Sequence, residues 1–171
     1  MVLDKVYSKF GPNVIQTFTG EFIDVFDPDP NKINIEDIAH ALSNVCRYGG
    51  HCPEFYSVAQ HSVLCSEHID RENPLELLLH DSSEAYMMDI PSPIKKRFPE
   101  YKKVENKLLE IIFKKYGLDF PLSKNVKKID GELLKYEYKS FFDLKNGGYL
   151  KVLTPKEAKL QFIERFNELT K

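Results

Sequence analysis

The stretch Leu75 to Lys95, LELLLHDSSEAYMMDIPSPIK, limits what this chain can fold into more than any other. An apolar run with helical spacing ends in the adjacent pair His80-Asp81, and Glu84 and Asp89 follow before a Pro-Ser-Pro turn. Ionisable groups at the end of a buried run are costly unless a partner satisfies them. A metal ion is such a partner, and it would draw further ligands from other parts of the chain to this one place.

At 171 residues the chain is long enough for a single domain, 1–171, with a sizeable core. Folds of this size bury roughly 70% of the surface that the unfolded chain exposes. No low-complexity or Gly/Ser-rich linker divides it. A formal net charge of −2 gives no global attraction to nucleic acid or an anionic membrane, so neither partner is expected. No apolar run approaches the ~20 residues of a membrane span and the termini show no secretory leader, which leads us to expect a soluble cytoplasmic protein. Cys46, Cys52 and Cys65 form no CxxC pattern and are odd in number, so they read as free thiols.

The elements follow from caps and periodicity. Val14 to Phe26 alternates crudely around Thr19-Gly20 and reads as a short β-hairpin. Asn34 can cap a helix from about Ile35 to Arg47 that Gly49-Gly50 ends, and Ser57 can cap another over Val58 to Ile69. Asn73-Pro74 opens a third helix, which carries His80, Asp81 and Glu84. Pro99 to Tyr116 is amphipathic, with Val104, Leu108, Ile111 and Ile112 inward and its lysines on a solvated face. Helices from Ser123 to Phe142 and from Thr154-Pro155 to Leu169 complete an all-α bundle of about six helices.

One helix in this scheme places His61 in an apolar stripe, the next carries His80-Asp81, and a later one sets Asp130 between Ile129 and Leu133. If three helices converge, two imidazoles and two carboxylates form a mixed ligand set. It suits one divalent transition ion such as Mn, Co, Fe, Ni or Zn, with positions left for water and substrate. Such an ion lowers the pKa of water and polarises a phosphoryl oxygen, so hydrolysis is its natural output. Glu84 lies one helical turn beyond the His-Asp pair and so on the same face.

The order His, His-Asp, Asp on helices resembles the signature of the HD-domain metal-dependent phosphohydrolases. AQHSVL (Ala59 to Leu64), HDSSEAYMMDIPSPIK (His80 to Lys95) and IDGELLKYE (Ile129 to Glu137) are similar, more narrowly, to the small bacterial and phage 5'-deoxynucleotidases. The resemblance implies an HD-domain helical bundle in which His61, His80, Asp81 and Asp130 bind the metal and Glu84 and Asp89 form the acid/base pair, with their two roles undivided. It also implies that Arg47, in a segment similar to the family's Arg-aromatic dipeptide, contacts phosphate, and that Tyr48 takes the place of the tryptophan that screens the sugar. Lys95 is a second phosphate candidate, as a point charge near a loop. His51, after Gly49-Gly50, is a candidate for lining the substrate pocket. Relatives of this kind act in a bacterial or phage-infected cytosol and are commonly dimers or larger assemblies, so a homo-oligomer is expected.

The function implied is hydrolysis of a deoxynucleoside monophosphate to the deoxynucleoside and phosphate. The alternative is a triphosphohydrolase that attacks the α-phosphorus of a dNTP, dATP among them, releases triphosphate and draws on Mg with its polyphosphate substrate. From another class comes a non-catalytic nucleotide-binding HD regulator, which would lack a ligand or the acid/base pair. Blander roles are set beside these. Cys65, one turn after His61, reads as a small core residue, Arg47 as a helix C-terminal cation, His40 as a packing or capping residue, and Asp130 alone as a cap or surface charge. His68 lies about 10 Å along the helix from His61, too far to share an ion.

Overall fold

The computed structural model describes residues 9, 11–143 and 150–171. A two-stranded antiparallel hairpin, β1 (Val14–Gln16) and β2 (Phe22–Asp24), pairs Ile15 with Ile23. The Thr17–Gly20 turn closes it, and only Ile23 of the six strand residues reaches the core. The rest of the described chain is mostly helical, compatible with an all-α fold.

The helices begin where side-chain oxygens can satisfy their first free N–H groups. Asn34 accepts from the Asp37 N–H at the start of α1 (Ile35–Asn44), and Ser57 accepts from Gln60 at the start of α2 (Val58–Glu67). Asn73 accepts from Glu76 at α3 (Pro74–Leu79), which has proline in its first turn. Two one-turn helices follow, α4 (Glu84–Met87) and α5 (Ser92–Lys95), and then the long α6 (Pro99–Lys115). Ser123 caps α7 (Lys124–Phe142), and a capping box of Thr154 and Glu157 opens α8 (Pro155–Leu169).

Helix α2 is the axis of the molecule, packed against α1, α3, α7 and α8. Eight of its ten residues are buried, so it lacks the polar face of a surface helix. Small side chains at Ala59, Ser62 and Ser66 are all fully buried there. Gln60 locks the entry to α8, its amide donating to Lys151 O at 2.8 Å and accepting from Leu153 N at 2.9 Å. One core fills the space between α1, α2, α6 and α8. A smaller apolar cluster of Cys65, Leu77, Val126, Ile129 and Leu133 lies where α2, α3 and α7 meet.

Two expectations change. The first helix stops at Asn44, not near Arg47, because Val45 turns extended and residues 45–47 pair with 56–58: Arg47 N–H donates to Tyr56 O at 2.9 Å and Val58 N–H to Val45 O at 3.0 Å. Arg47 thus enters a 3-10 turn, Arg47–Gly50, and is not a helix C-terminal cation. The helix expected to carry His80, Asp81 and Glu84 together is also broken. Ser82 N–H bonds to Leu79 O and Glu84 N–H to Asp81 O, an i→i+3 pattern that tightens the chain between α3 and α4. Among the described residues no helix is long and apolar enough to cross a membrane.

Candidate metal centre

The smaller apolar cluster forms a floor on which four polar side chains meet. His61, central in α2, is fully buried, and its Nδ1 lies 2.5 Å from Glu137 Oε1. A carboxylate only accepts, so Nδ1 carries a proton and Nε2 is the nitrogen left facing inward. His80, just past α3, resolves the same way: Nδ1 donates to Leu77 O at 2.7 Å, while Nε2 is buried with no hydrogen-bond partner among the described residues. Asp81 Oδ2 stands 3.2 Å from His80 Nε2 and 3.9 Å from His61 Nε2, and Asp130 Oδ1 lies 3.2 Å from His61 Nε2.

The two 3.2 Å separations fit neighbouring ligands of one ion, and the 3.9 Å one fits two ligands at a wider angle. Bonds of about 2.0–2.2 Å place neighbouring N and O ligands roughly 3.0–3.5 Å apart. Two histidine Nε2 atoms turned inward, each with its Nδ1 already bonded to a protein acceptor, and two carboxylates beside them form a mixed donor set. The described residues therefore include buried groups able to hold a metal ion. In the metal-free protein, burial disfavours the His80 imidazolium, but the Asp81 carboxylate outweighs it and His80 is pushed up to about 10. Partial burial disfavours the Asp81 carboxylate, yet His80, His61 and Arg47 hold it well below the usual carboxylate range.

Behind the four stands Glu137, two turns after Asp130 on α7 and fully buried. Besides His61, its Oε1 accepts from the Tyr56 hydroxyl at 2.7 Å. Oε2 accepts from Arg47 Nε at 3.2 Å, Arg47 Nη2 at 3.1 Å and the Tyr48 hydroxyl at 3.2 Å. Burial alone would raise this carboxyl, but His61, Arg47 and Tyr56 hold it down at about 2. It fixes the His61 tautomer, as carboxylates behind metal-binding histidines do. Arg47 keeps only Nη1 turned toward the centre, 3.7 Å from Asp81 Oδ2. Tyr48 sits at φ 57, an uncommon angle for a side-chain-bearing residue, and its hydroxyl is tied to Glu137 and to Leu134 O.

A cleft of about 410 Å³ opens over the centre and is lined by Arg47, Tyr48, Asp81, Glu84, Asp89, Lys95, Asp130 and Leu134. Buried Glu84 heads α4, and its Oε2 has no partner among the described residues. Burial raises its pKa, and the Asp81 and Asp89 carboxylates raise it further. Half-buried Asp89 is raised by burial as well. Lys95 donates to Glu84 Oε1 at 3.2 Å and to Glu105 Oε1 at 2.6 Å. An adjoining cavity of about 290 Å³ runs from His80 and Glu84 past Lys95 to Lys102, Glu105 and Lys127.

Nine of the ten residues singled out from the sequence therefore gather around one point, and His51 does not. It is exposed and lies outside the residues lining the cleft. His68 lies apart, 3.5 Å from Glu132. Sequence reasoning missed Glu137, Tyr56 and Glu105. Glu137 had a signal, the seven-residue step from Asp130 that returns it to the same helix face; so did Glu105, an acid in the Tyr101–Leu108–Ile112 stripe. Tyr56, in an irregular segment, had none. Cys65 was read as core, and its sulfur does pack there, but it also lies 3.5 Å from His61 Nε2.

No model of a known protein family matches the chain. It is 40% identical over 170 residues to the uncharacterized protein YfdR of Escherichia coli (strain K12), covering 91% of this chain and 95% of that protein. It is 35% identical over 120 residues to an uncharacterized protein of Rhodobacter capsulatus, covering 64% of this chain and 61% of that one.

Proposed function

The chain belongs to the family of the Escherichia coli protein YfdR, and we propose that it is an HD-domain metal-dependent phosphohydrolase acting on 5'-deoxynucleotides. The substrate proposed is a deoxynucleoside monophosphate, and the products are the deoxynucleoside and phosphate. The observation that carries this reading is the meeting of His61 Nε2, His80 Nε2, Asp81 Oδ2 and Asp130 Oδ1 beneath a cleft that holds two carboxyl groups with raised pKa values.

A divalent ion held by those four residues supplies Lewis-acid polarisation of the phosphoryl oxygen and a more acidic water. The chain's own groups do the rest. Arg47 and Lys95, both lining the cleft, offset the charge of the phosphate. Glu84 and Asp89 share the proton work. One takes the proton of the attacking water, and the other gives a proton to the 5'-oxygen as the phosphorus–oxygen ester bond breaks. Their raised pKa values suit them to exchange protons nearer neutrality than an ordinary carboxyl does.

A second reading has its own observation. The adjoining cavity lined by Lys95, Lys102 and Lys127 offers cations for a longer polyphosphate, which favours a dNTP cleaved at the α-phosphorus with release of triphosphate. A non-catalytic regulator would lack a ligand or an acid/base residue, and all six are present. Purified protein incubated with dNMPs and dNTPs plus Mn, Co, Zn or Mg, with products resolved as phosphate or triphosphate, separates these readings. Release of phosphate from a dNMP is expected. Absence of any hydrolysis with every ion, together with unchanged metal content in Asp81→Ala, would overturn the proposal.

A further inference from the structure

We propose that Cys65 is an additional ligand of the ion, on its buried side, and that its sulfur makes the centre select a thiophilic ion such as Zn²⁺ over Mg²⁺ or Mn²⁺. The inference rests on the reading that His61, His80, Asp81 and Asp130 hold an ion, and adds a donor to that set. Cys65 lies one turn after His61 on α2 and is fully buried. Its Sγ stands 3.5 Å from His61 Nε2, the nitrogen that faces the centre. A metal–nitrogen bond of about 2.0–2.1 Å and a metal–sulfur bond of about 2.3 Å, at the ~90–120° between neighbouring ligands of a five- or six-coordinate ion, put the two atoms about 3.1–3.8 Å apart. Independently, His80 Nε2 is buried with no hydrogen-bond partner among the described residues, and the His61, Cys65 and His80 donor atoms all lie within 4.8 Å of one another.

The donors are sorted by side. Asp81 and Asp130 side chains are 21% and 44% exposed and face the cleft, whereas Cys65 is 0% exposed and sits on the apolar floor. A sulfur there leaves the cleft side of the ion to water and substrate. On binding, the thiol S–H bond breaks, its proton leaves to solvent, and a sulfur–metal bond forms. Thiolate and imidazole together favour Zn²⁺ or Co²⁺, while an all-oxygen set suits Mg²⁺ and Mn²⁺.

The test is spectroscopic and uses the full chain stripped of metal and titrated with Co²⁺. We expect visible d–d bands together with a near-ultraviolet sulfur-to-cobalt charge-transfer band, the latter lost in Cys65→Ser while the d–d bands remain. A Cys46→Ser/Cys52→Ser variant has Cys65 as its sole cysteine, since the chain contains three, and should keep the band; it decides the matter even if Cys65→Ser does not fold. Removing the thiolate removes the donor that favours Zn²⁺, so the Zn²⁺ preference over Mn²⁺ should fall in Cys65→Ser. Stoichiometric d–d bands without the charge-transfer band, or a band that survives in Cys65→Ser, overturns the cysteine as a ligand and leaves the four-residue centre standing. No Co²⁺ spectrum at all in the wild type overturns both.

Discussion

At the scale of single residues, Glu137 is the group on which most others depend. Its folded pKa lies below its ordinary 4.5, at about 2, so the folded state favours the carboxylate. That contribution is complete above pH 4.5 and drains away as pH falls toward about 2; it is on the order of 3 kcal/mol. Urea unfolding of metal-free protein at pH 7 and pH 3 should show a steep loss in the wild type and a flatter one in Glu137→Gln, which starts less stable because Arg47 loses a charged partner. The same variant should bind the ion about 10–100-fold more weakly, as measured by competition with a chelating dye. His80 carries the opposite sign. Raised to about 10 without metal, it holds a proton that the ion must displace, so apparent metal affinity should rise with pH through the neutral range. Glu84→Gln should lower hydrolysis by about 10²–10⁴-fold while ion content stays at the wild-type level. Of these groups, His61, His80, Asp81, Asp130 and Glu84 could be named from the chain because they interrupt apolar runs at helical spacing. Tyr56 could not, since its place comes from pairing between residues 45–47 and 56–58, which leaves no periodic trace.

At the scale of elements, the caps were the legible part. Asn34, Ser57, Asn73, Ser123 and Thr154 each start a helix where their side chains predict it. Helix interiors near the site were less so. The break between Leu79 and Glu84 falls where Asp81, Ser82 and Ser83 tighten into i→i+3 bonds. Helix α3 is short, and its stability comes from Leu77, Leu78 and Leu79, all fully buried. Leu78→Ala should cost about 2–5 kcal/mol in urea unfolding. Ser57→Ala, which removes the cap of the helix carrying His61, should cost about 1 kcal/mol in the same measurement.

At the scale of the whole molecule, an ion that binds only the folded state stabilises it by mass action, by about 2.7 kcal/mol at a hundredfold excess over its dissociation constant. Thermal melting with added Zn²⁺ should therefore shift upward in the wild type, return on chelation, and stay unmoved in His80→Ala. The same dependence has a consequence for how the protein is made. Glu137 is 76 residues downstream of His61, its imidazole partner. At translation rates of about 5–20 residues per second, His61, Cys65, His80 and Asp81 have all been synthesised while the carboxylate that orients His61 is still missing, for about 3–11 s. During that interval the nascent chain offers soft nitrogen and sulfur donors without the geometry that disciplines them, so whichever metal is most available near the ribosome has the first opportunity to settle there.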